Sequence, residues 1–225
     1  MMTQTHTLIA ASLLTSSQRS VSQNVAVLLG SLIPDLAIYI LFVWSKIMRI
    51  PERELWREVY FSEPMLTFTA IGNSFPLYLM ILVIGMFLVK HSNLNHHKDF
   101  SKQPSYKSEA AFYSKTSDSY WHIITQSVIC LFALSAVTHL LGDFPVHVSD
   151  AHPHFWPVSD WRFHSVVSYW DKNHYGSVFS LFEAALGILL SIILFKRYQA
   201  RWVRGLTILA IIAYAAVPAY FAFKP

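Results

Sequence analysis

Apolar residues run along this chain in long blocks separated by shorter polar stretches. The blocks are Val25 to Trp44, Phe75 to Val89, Ile123 to Leu141, Ser177 to Phe195 and Leu206 to Phe221. A bilayer core takes roughly 20 apolar residues per spanning helix. The pattern therefore predicts an all-α integral membrane helical bundle with four to five transmembrane helices. Pro34-Asp35 interrupts the first block, and the second is short unless it begins near Leu66. Ahead of them, Thr3 to Thr15 predicts a short N-terminal helix that cannot span and so lies at the interface or inside the bundle. Ser16 to Ser22 reads as a polar turn. Trp44, Trp121, Trp202 and Tyr220 sit near block ends, as interface aromatics do.

The polar stretches differ in kind. Lys46 to Glu63 mixes both charge signs and predicts an amphipathic interfacial helix. Lys90 to Tyr120, with the solvated pair His96-His97, predicts an exposed, mobile loop. Lys196 to Arg204 carries Lys196, Arg197, Arg201 and Arg204, the clearest cytoplasmic signature in the chain. That choice puts Asp143 to Gly176 on the outer side and Lys90 to Tyr120 in the cytoplasm. The four basic residues that follow the first block fit this topology poorly.

Composition agrees with a membrane chain. Of 225 residues, 54% are hydrophobic and only 13% charged, against about 25% charged in soluble domains. Mean hydropathy is +0.39. No linker divides residues 1–225, which predicts a single domain. Cys130 is the single cysteine, so disulfides and a cysteine zinc site are excluded, and it reads as a small buried hydrophobe. The net charge of +4 lies beside apolar blocks, which points to lipid headgroups rather than nucleic acid. The first residues lack the basic region of a secretory signal.

Against this background the ionisable residues stand out. In "THLLGDFPVH", His139, Asp143 and His147 follow one another at four-residue steps. Residues at i and i+4 share a helix face and can converge on one cation. Pro145 then ends the helix, so that His147 can fold back. Mixed nitrogen and oxygen donors suit zinc, with manganese or iron as alternatives. Asp35, in "GSLIPDLAIY", lies within an apolar run, where an unpaired carboxylate costs several kcal/mol. His6 joins the group only if the first helix packs onto Asp35 and His139. Glu183, in "SVFSLFEAALGILL", reads either as an intramembrane site residue or as a solvated interface residue. The loop "AHPHFWPVSDWRFH" has the character of an aromatic lid. Its His152 and His154 would point opposite ways in an extended chain, and Arg162 could grip a phosphate.

On these motifs, taken in order ("TH-x-LIA", "GSLIPD", "THLLGD" and "WPVSDWRF"), the chain resembles the membrane-bound metal-dependent hydrolases that include the LexA-regulated inner-membrane hydrolase. Its "HLLGDFPVH" is also similar to the His-x-x-x-Asp segment of zinc-dependent phospholipases C. The resemblance implies a multi-pass protein of the bacterial inner membrane, with a divalent metal held by His6, Asp35, His139 and Asp143. The phospholipase pattern adds His147. The implied function is hydrolysis of a phosphoester on a lipid or lipid-linked substrate. The metal activates water, Asp143 or Glu183 takes its proton, and Arg162 steadies the phosphate. A non-catalytic membrane protein with a structural metal site, or one that transports metal or protons, is the alternative. One departure is plain. Where that family carries a His-Arg-Gly-x-Thr-His-Ser segment, this chain reads "LTFTAIGNSFPLYL". Either the loop from His147 to His174 supplies substitute ligands or the site is reduced.

Overall fold

The structure, a computed structural model, describes residues 1–100, 124 and 126–223. Among them every regular element is helical. In chain order these are α1 (Thr3–Leu14), α2 (Val21–Leu32), a 3-10 turn (Ile33–Asp35), α3 (Leu36–Ile47), the one-turn α4 (Glu52–Glu54), a π turn (Leu55–Val59), α5 (Glu63–Gly72), α6 (Phe75–Phe100), α7 (Val128–Asp143) and, after a long irregular loop, α8 (Gly176–Arg197) and α9 (Arg201–Phe223).

Local chemistry sets the boundaries. Ser20 and Gln23 form a reciprocal capping box at the start of α2. Pro34 lacks an amide hydrogen, so α2 cannot run on into α3 and the tighter 3-10 turn intervenes. The helix expected over Lys46 to Glu63 is broken instead. Arg49 takes a left-handed φ of 57° after α3, Pro51 follows, and the Tyr60 amide reaches back five residues to the Leu55 carbonyl. The loop expected over Lys90 to Tyr120 is helical through Phe100. Its remaining part, 101–120, lies outside the described residues, as does Trp121.

The helices align about two ends. α2 and α7 run parallel: the Gln23 side chain donates to the Gln126 carbonyl at 2.7 Å near their beginnings, and Ser31 meets His139 near their ends. They approach closely because Gly30 has no side chain; a Cβ there would lie 2.2 Å from the Phe132 carbonyl oxygen. α6 runs the other way, with Tyr78 packed on Ala136 and Leu140 and Gly85 against Cys130. α1 lies along α8, since Met2 bonds Glu183 near one end and Arg197 donates to the Ser12 carbonyl at 2.7 Å near the other. The starts of α1, α6 and α8 and the ends of α2 and α7 thus meet at one pole. Arg197 and the basic turn that follows it mark the opposite pole.

The surface is inverted relative to a water-soluble bundle. Leu29, Val43, Val83, Phe87, Leu181 and Leu189 are exposed, whereas His6, Asp35, His139, Asp143 and Glu183 are buried. Among the described residues, three helical stretches are long and apolar enough to cross a membrane: Val21–Ile47, Glu63–His91 and Gly176–Arg197. α7, expected as part of a span, has 16 residues among those described. At 1.5 Å per residue that is about 24 Å, less than a bilayer core.

Candidate metal centre

The polar pole is assembled from α1, α2, the 3-10 turn, α7, α8 and the loop after α7. α7 supplies His139 and Asp143 one turn apart, with His139 Nε2 3.1 Å from Asp143 Oδ2. His139 Nδ1 lies 2.7 Å from the Ser31 carbonyl of α2. A carbonyl only accepts, so Nδ1 carries the hydrogen. Nε2, facing the acceptor-only carboxylate of Asp143, donates as well when no ion is present; loss of that hydrogen would free the Nε2 lone pair for a cation, with Nδ1–H fixing the ring as in metal-binding histidines. α1 brings His6, whose Nε2 is 2.8 Å from Asp143 Oδ1 and whose Nδ1 is buried without a partner among the described residues. The two imidazoles stack 3.7 Å apart at 15°.

One ligand atom from each of His6, His139 and Asp143 lies within 4.8 Å of the other two, and this group could hold a metal ion. The packing of α1 onto α7 that His6 required is therefore present. Asp35 arrives through the 3-10 turn, its Oδ1 3.6 Å from His139 Nε2. Its other oxygen accepts from the Thr3 hydroxyl, which in turn accepts from Tyr39 at 2.8 Å. Two imidazoles and a carboxylate are side chains that ligate metal ions.

The start of α1 lies among these carboxylates. The Met1 nitrogen is 2.7 Å from Asp143 Oδ1, and the Met2 amide donates to Glu183 Oε1 at 2.7 Å. Glu183 is 1% exposed, which places it inside the bundle and not at a solvated interface. Its Oε2 is buried without a partner among the described residues. Glu183 thus faces the N-terminal turn of α1 and stands outside the three-residue group.

The loop after α7 folds back onto the site. The Val146 amide bonds the Asp143 carbonyl at 3.0 Å and turns the chain. His147 then sits between two carboxylates, with Nε2 3.3 Å from Asp143 Oδ1 and Nδ1 3.0 Å from Asp150 Oδ2. Neither ring nitrogen is aligned for a hydrogen bond. Burial disfavours the imidazolium, but Asp143 and Asp150 outweigh it and hold the His147 pKa up at about 9. Burial opposes ionisation of Asp150 in turn, and His147 overcomes it, keeping that carboxyl at about 2.

His152 and His154 are both buried, contrary to the opposite orientations expected of an extended strand. The reason is a tight turn, in which the His154 amide meets the His152 carbonyl at 3.0 Å. Burial, with His147 alongside, pushes the His152 pKa down to about 3. His154 Nδ1 donates to the Asn73 carbonyl at 3.0 Å, the Phe75 amide donates to the His154 carbonyl at 2.8 Å, and the Ser74 hydroxyl donates to the Trp156 carbonyl. The loop is therefore strapped to the α5–α6 junction at Asn73-Ser74. Of the loop histidines, His147 is the one in contact with Asp143. Arg162 is tied to the Ala151 carbonyl at 3.4 Å and contacts no carboxylate among the described residues.

Sequence reasoning overlooked Asp150, Tyr60 and the role of Tyr169. Asp150 accepts from the Trp170 indole at 2.9 Å, and its place three residues after His147 was the available signal. Both tyrosines have their pKa pushed up, first by burial and then by Asp150, Asp143 and Asp35. Their hydroxyls thus feel the same cluster of negative charge. No sequence pattern marks them, since each comes from a separate irregular segment.

Compared with protein-family profiles, curated proteins and solved structures, the chain has no match in any of the three.

Proposed function

We propose that this protein is a multi-pass membrane enzyme that uses a divalent metal to hydrolyse a phosphoester on a lipid or lipid-linked substrate. The observation that carries the reading is the convergence of His6, His139 and Asp143, with His139 held by Ser31 so that Nε2 faces the site. Two nitrogens and carboxylate oxygen favour zinc, with manganese as the alternative. His6, His139 and Asp143 would hold the ion, with Asp35 and His147 as the adjoining donors.

A bound ion of this kind lowers the pKa of water and polarises a phosphoryl oxygen. Asp143 and Glu183 are the carboxylates available to accept a proton. Arg162, at the rim, would meet the substrate phosphate after leaving Ala151. The inverted surface supports membrane embedding with four to five spans: the three long stretches and α9, with the shorter α7 as the fifth. The basic turn Lys196–Arg204 supports a cytoplasmic position for that pole, and hence an outward position for the site, in a bacterial inner membrane.

A second reading, a structural metal staple in a non-catalytic protein, is favoured by one observation: the three ligands are at most 2% exposed. A closed site stabilises and an open one catalyses. Metal analysis by mass spectrometry tests the site itself, on the purified protein and on its His139→Ala and Asp35→Ala variants. Stoichiometric metal in the parent and its loss in His139→Ala is the expected result; full metal in both variants rejects the site. Assay of the metal-loaded parent against phospholipids and lipid-linked phosphates then separates enzyme from staple.

A further inference from the structure

We propose that Thr3 and Tyr39 are positioning residues of the metal centre, a two-hydroxyl clasp that holds Asp35 with Oδ1 turned toward His139. The inference rests on the metal reading above and adds groups that set the affinity of the centre from outside it.

The clasp joins two segments. Asp35 ends the 3-10 turn and Tyr39 stands four residues on, in α3, so the two lie about one turn apart and can reach the same group. That group is the hydroxyl of Thr3, in the first turn of α1. Tyr39 donates to Thr3 Oγ1 at 2.8 Å, and Thr3 donates to Asp35 Oδ2. An ionised carboxylate only accepts, so Thr3 gives its hydrogen to Asp35 and receives one from Tyr39. Each bond polarises the next, and the one that ends on the carboxylate is charge-assisted.

One oxygen of Asp35 is thus taken and the other left. Oδ1 lies 3.6 Å from His139 Nε2, beyond hydrogen-bond length. Two ligands of one tetrahedral zinc ion are roughly 3.4 Å apart, so this pair is spaced to share an ion. Without the clasp the carboxylate could rotate about its side-chain bonds, and Oδ1 would lose that direction. The surroundings keep the clasp shut. Tyr39 is half exposed, on an α3 surface that also exposes Leu36, Ile40 and Val43, in a stretch apolar enough to cross a membrane. Hydrocarbon offers a phenol no partner, so an opened clasp would leave the Tyr39 hydroxyl unsatisfied. Thr5 provides a control. It shares a hydrogen bond with the Tyr214 hydroxyl at 2.5 Å, which ties α1 to α9 through a different residue pair.

The test is the zinc affinity of the intact protein in detergent, measured by competition with a chelator, together with the visible spectrum of its cobalt form. Thr3→Val keeps the side-chain shape and removes the hydroxyl. Affinity should fall about 10–100-fold, the range for loss of a ligand's outer partner, and the cobalt spectrum should change. Thr3→Ser should restore both. Tyr39→Phe, at a half-exposed position that tolerates the change if Thr3→Val does not fold, should lower affinity by a smaller factor. Thr5→Val should match the parent in affinity and spectrum. Parent affinity in Thr3→Val or in Tyr39→Phe, or failure of Thr3→Ser to rescue, would overturn the proposal. So would an equal loss in Thr5→Val, which would mark general docking of α1. A parent that binds neither zinc nor cobalt removes the metal reading and the clasp with it. Zinc binding that depends on Thr3, in a protein that hydrolyses no lipid phosphate, would sink the enzyme reading and leave the clasp.

Discussion

The imidazoles of His6 and His139 lie face to face, 3.7 Å between centroids, and each directs Nε2 at a different oxygen of Asp143. Two imidazolium ions so close and so deeply buried would repel strongly. Without an ion both Nε2 atoms donate to the carboxylate; a cation that displaces those hydrogens would meet two lone pairs and the carboxylate together. The pair is thus arranged for a shared positive charge in front of it, which sets the first expectation.

Metal should stabilise the fold, and both histidines should be needed. At a hundredfold excess over Kd a bound ion adds about 2.7 kcal/mol, or roughly 5–10 °C in Tm for a chain of this size. Thermal unfolding in detergent, with zinc and with chelator, should show that increment in the parent and not in His6→Ala or His139→Ala. An unchanged increment in His6→Ala would remove α1 from the site.

The metal-free protein should be most stable near pH 6.5. His147 has its pKa raised from 6.5 to about 9, so its contribution is complete below 6.5 and is lost as pH rises through 9. His152 is depressed from 6.5 to about 3, so its contribution is complete above 6.5 and falls away as pH drops toward 3. Asp150, lowered from 3.8 to about 2, adds a further acid loss below 3.8. Unfolding curves in chelator across pH 4–9 should show both slopes, and His147→Gln should flatten the alkaline one. An alkaline slope identical in the variant would assign it elsewhere.

Gly30→Ala should cost about 1–3 kcal/mol through overpacking. Its Cβ meets the Phe132 carbonyl, so α2 and α7 must separate, and Ser31 then loosens its hold on His139. Metal affinity should fall together with stability. Gly205→Ala in α9 meets nothing within 4 Å and should be neutral, or stabilising by up to about 1 kcal/mol from helix propensity. Equal effects at the two glycines would contradict the packing described.

Ser74→Ala should release part of the loop strap at a net cost of about 1 kcal/mol. The reporter is the Phe75 amide, whose acceptor is the His154 carbonyl. Hydrogen exchange at Phe75 should accelerate in Ser74→Ala and in His154→Ala. Unchanged protection in both would mean that the loop is held by its aromatic contacts, such as Phe144 on Phe163.

Length and hydropathy by themselves marked the helices, because apolar blocks with few charges have few other ways to satisfy their backbone. They located the break at Pro34-Asp35, because proline carries no amide hydrogen, and they marked His139 and Asp143 as a pair, because four residues make one turn. Other features needed the tertiary structure. Whether His6 reaches Asp143, 137 residues away in the chain, depends on how α1 packs onto α7. The inward turn of His152 and His154, the docking of the loop on Asn73-Ser74, and the shared field of Asp150, Tyr60 and Tyr169 depend on irregular backbone, which has no periodicity to read. Hydropathy reports which residues avoid water, and the packing of separate segments decides which buried polar groups meet.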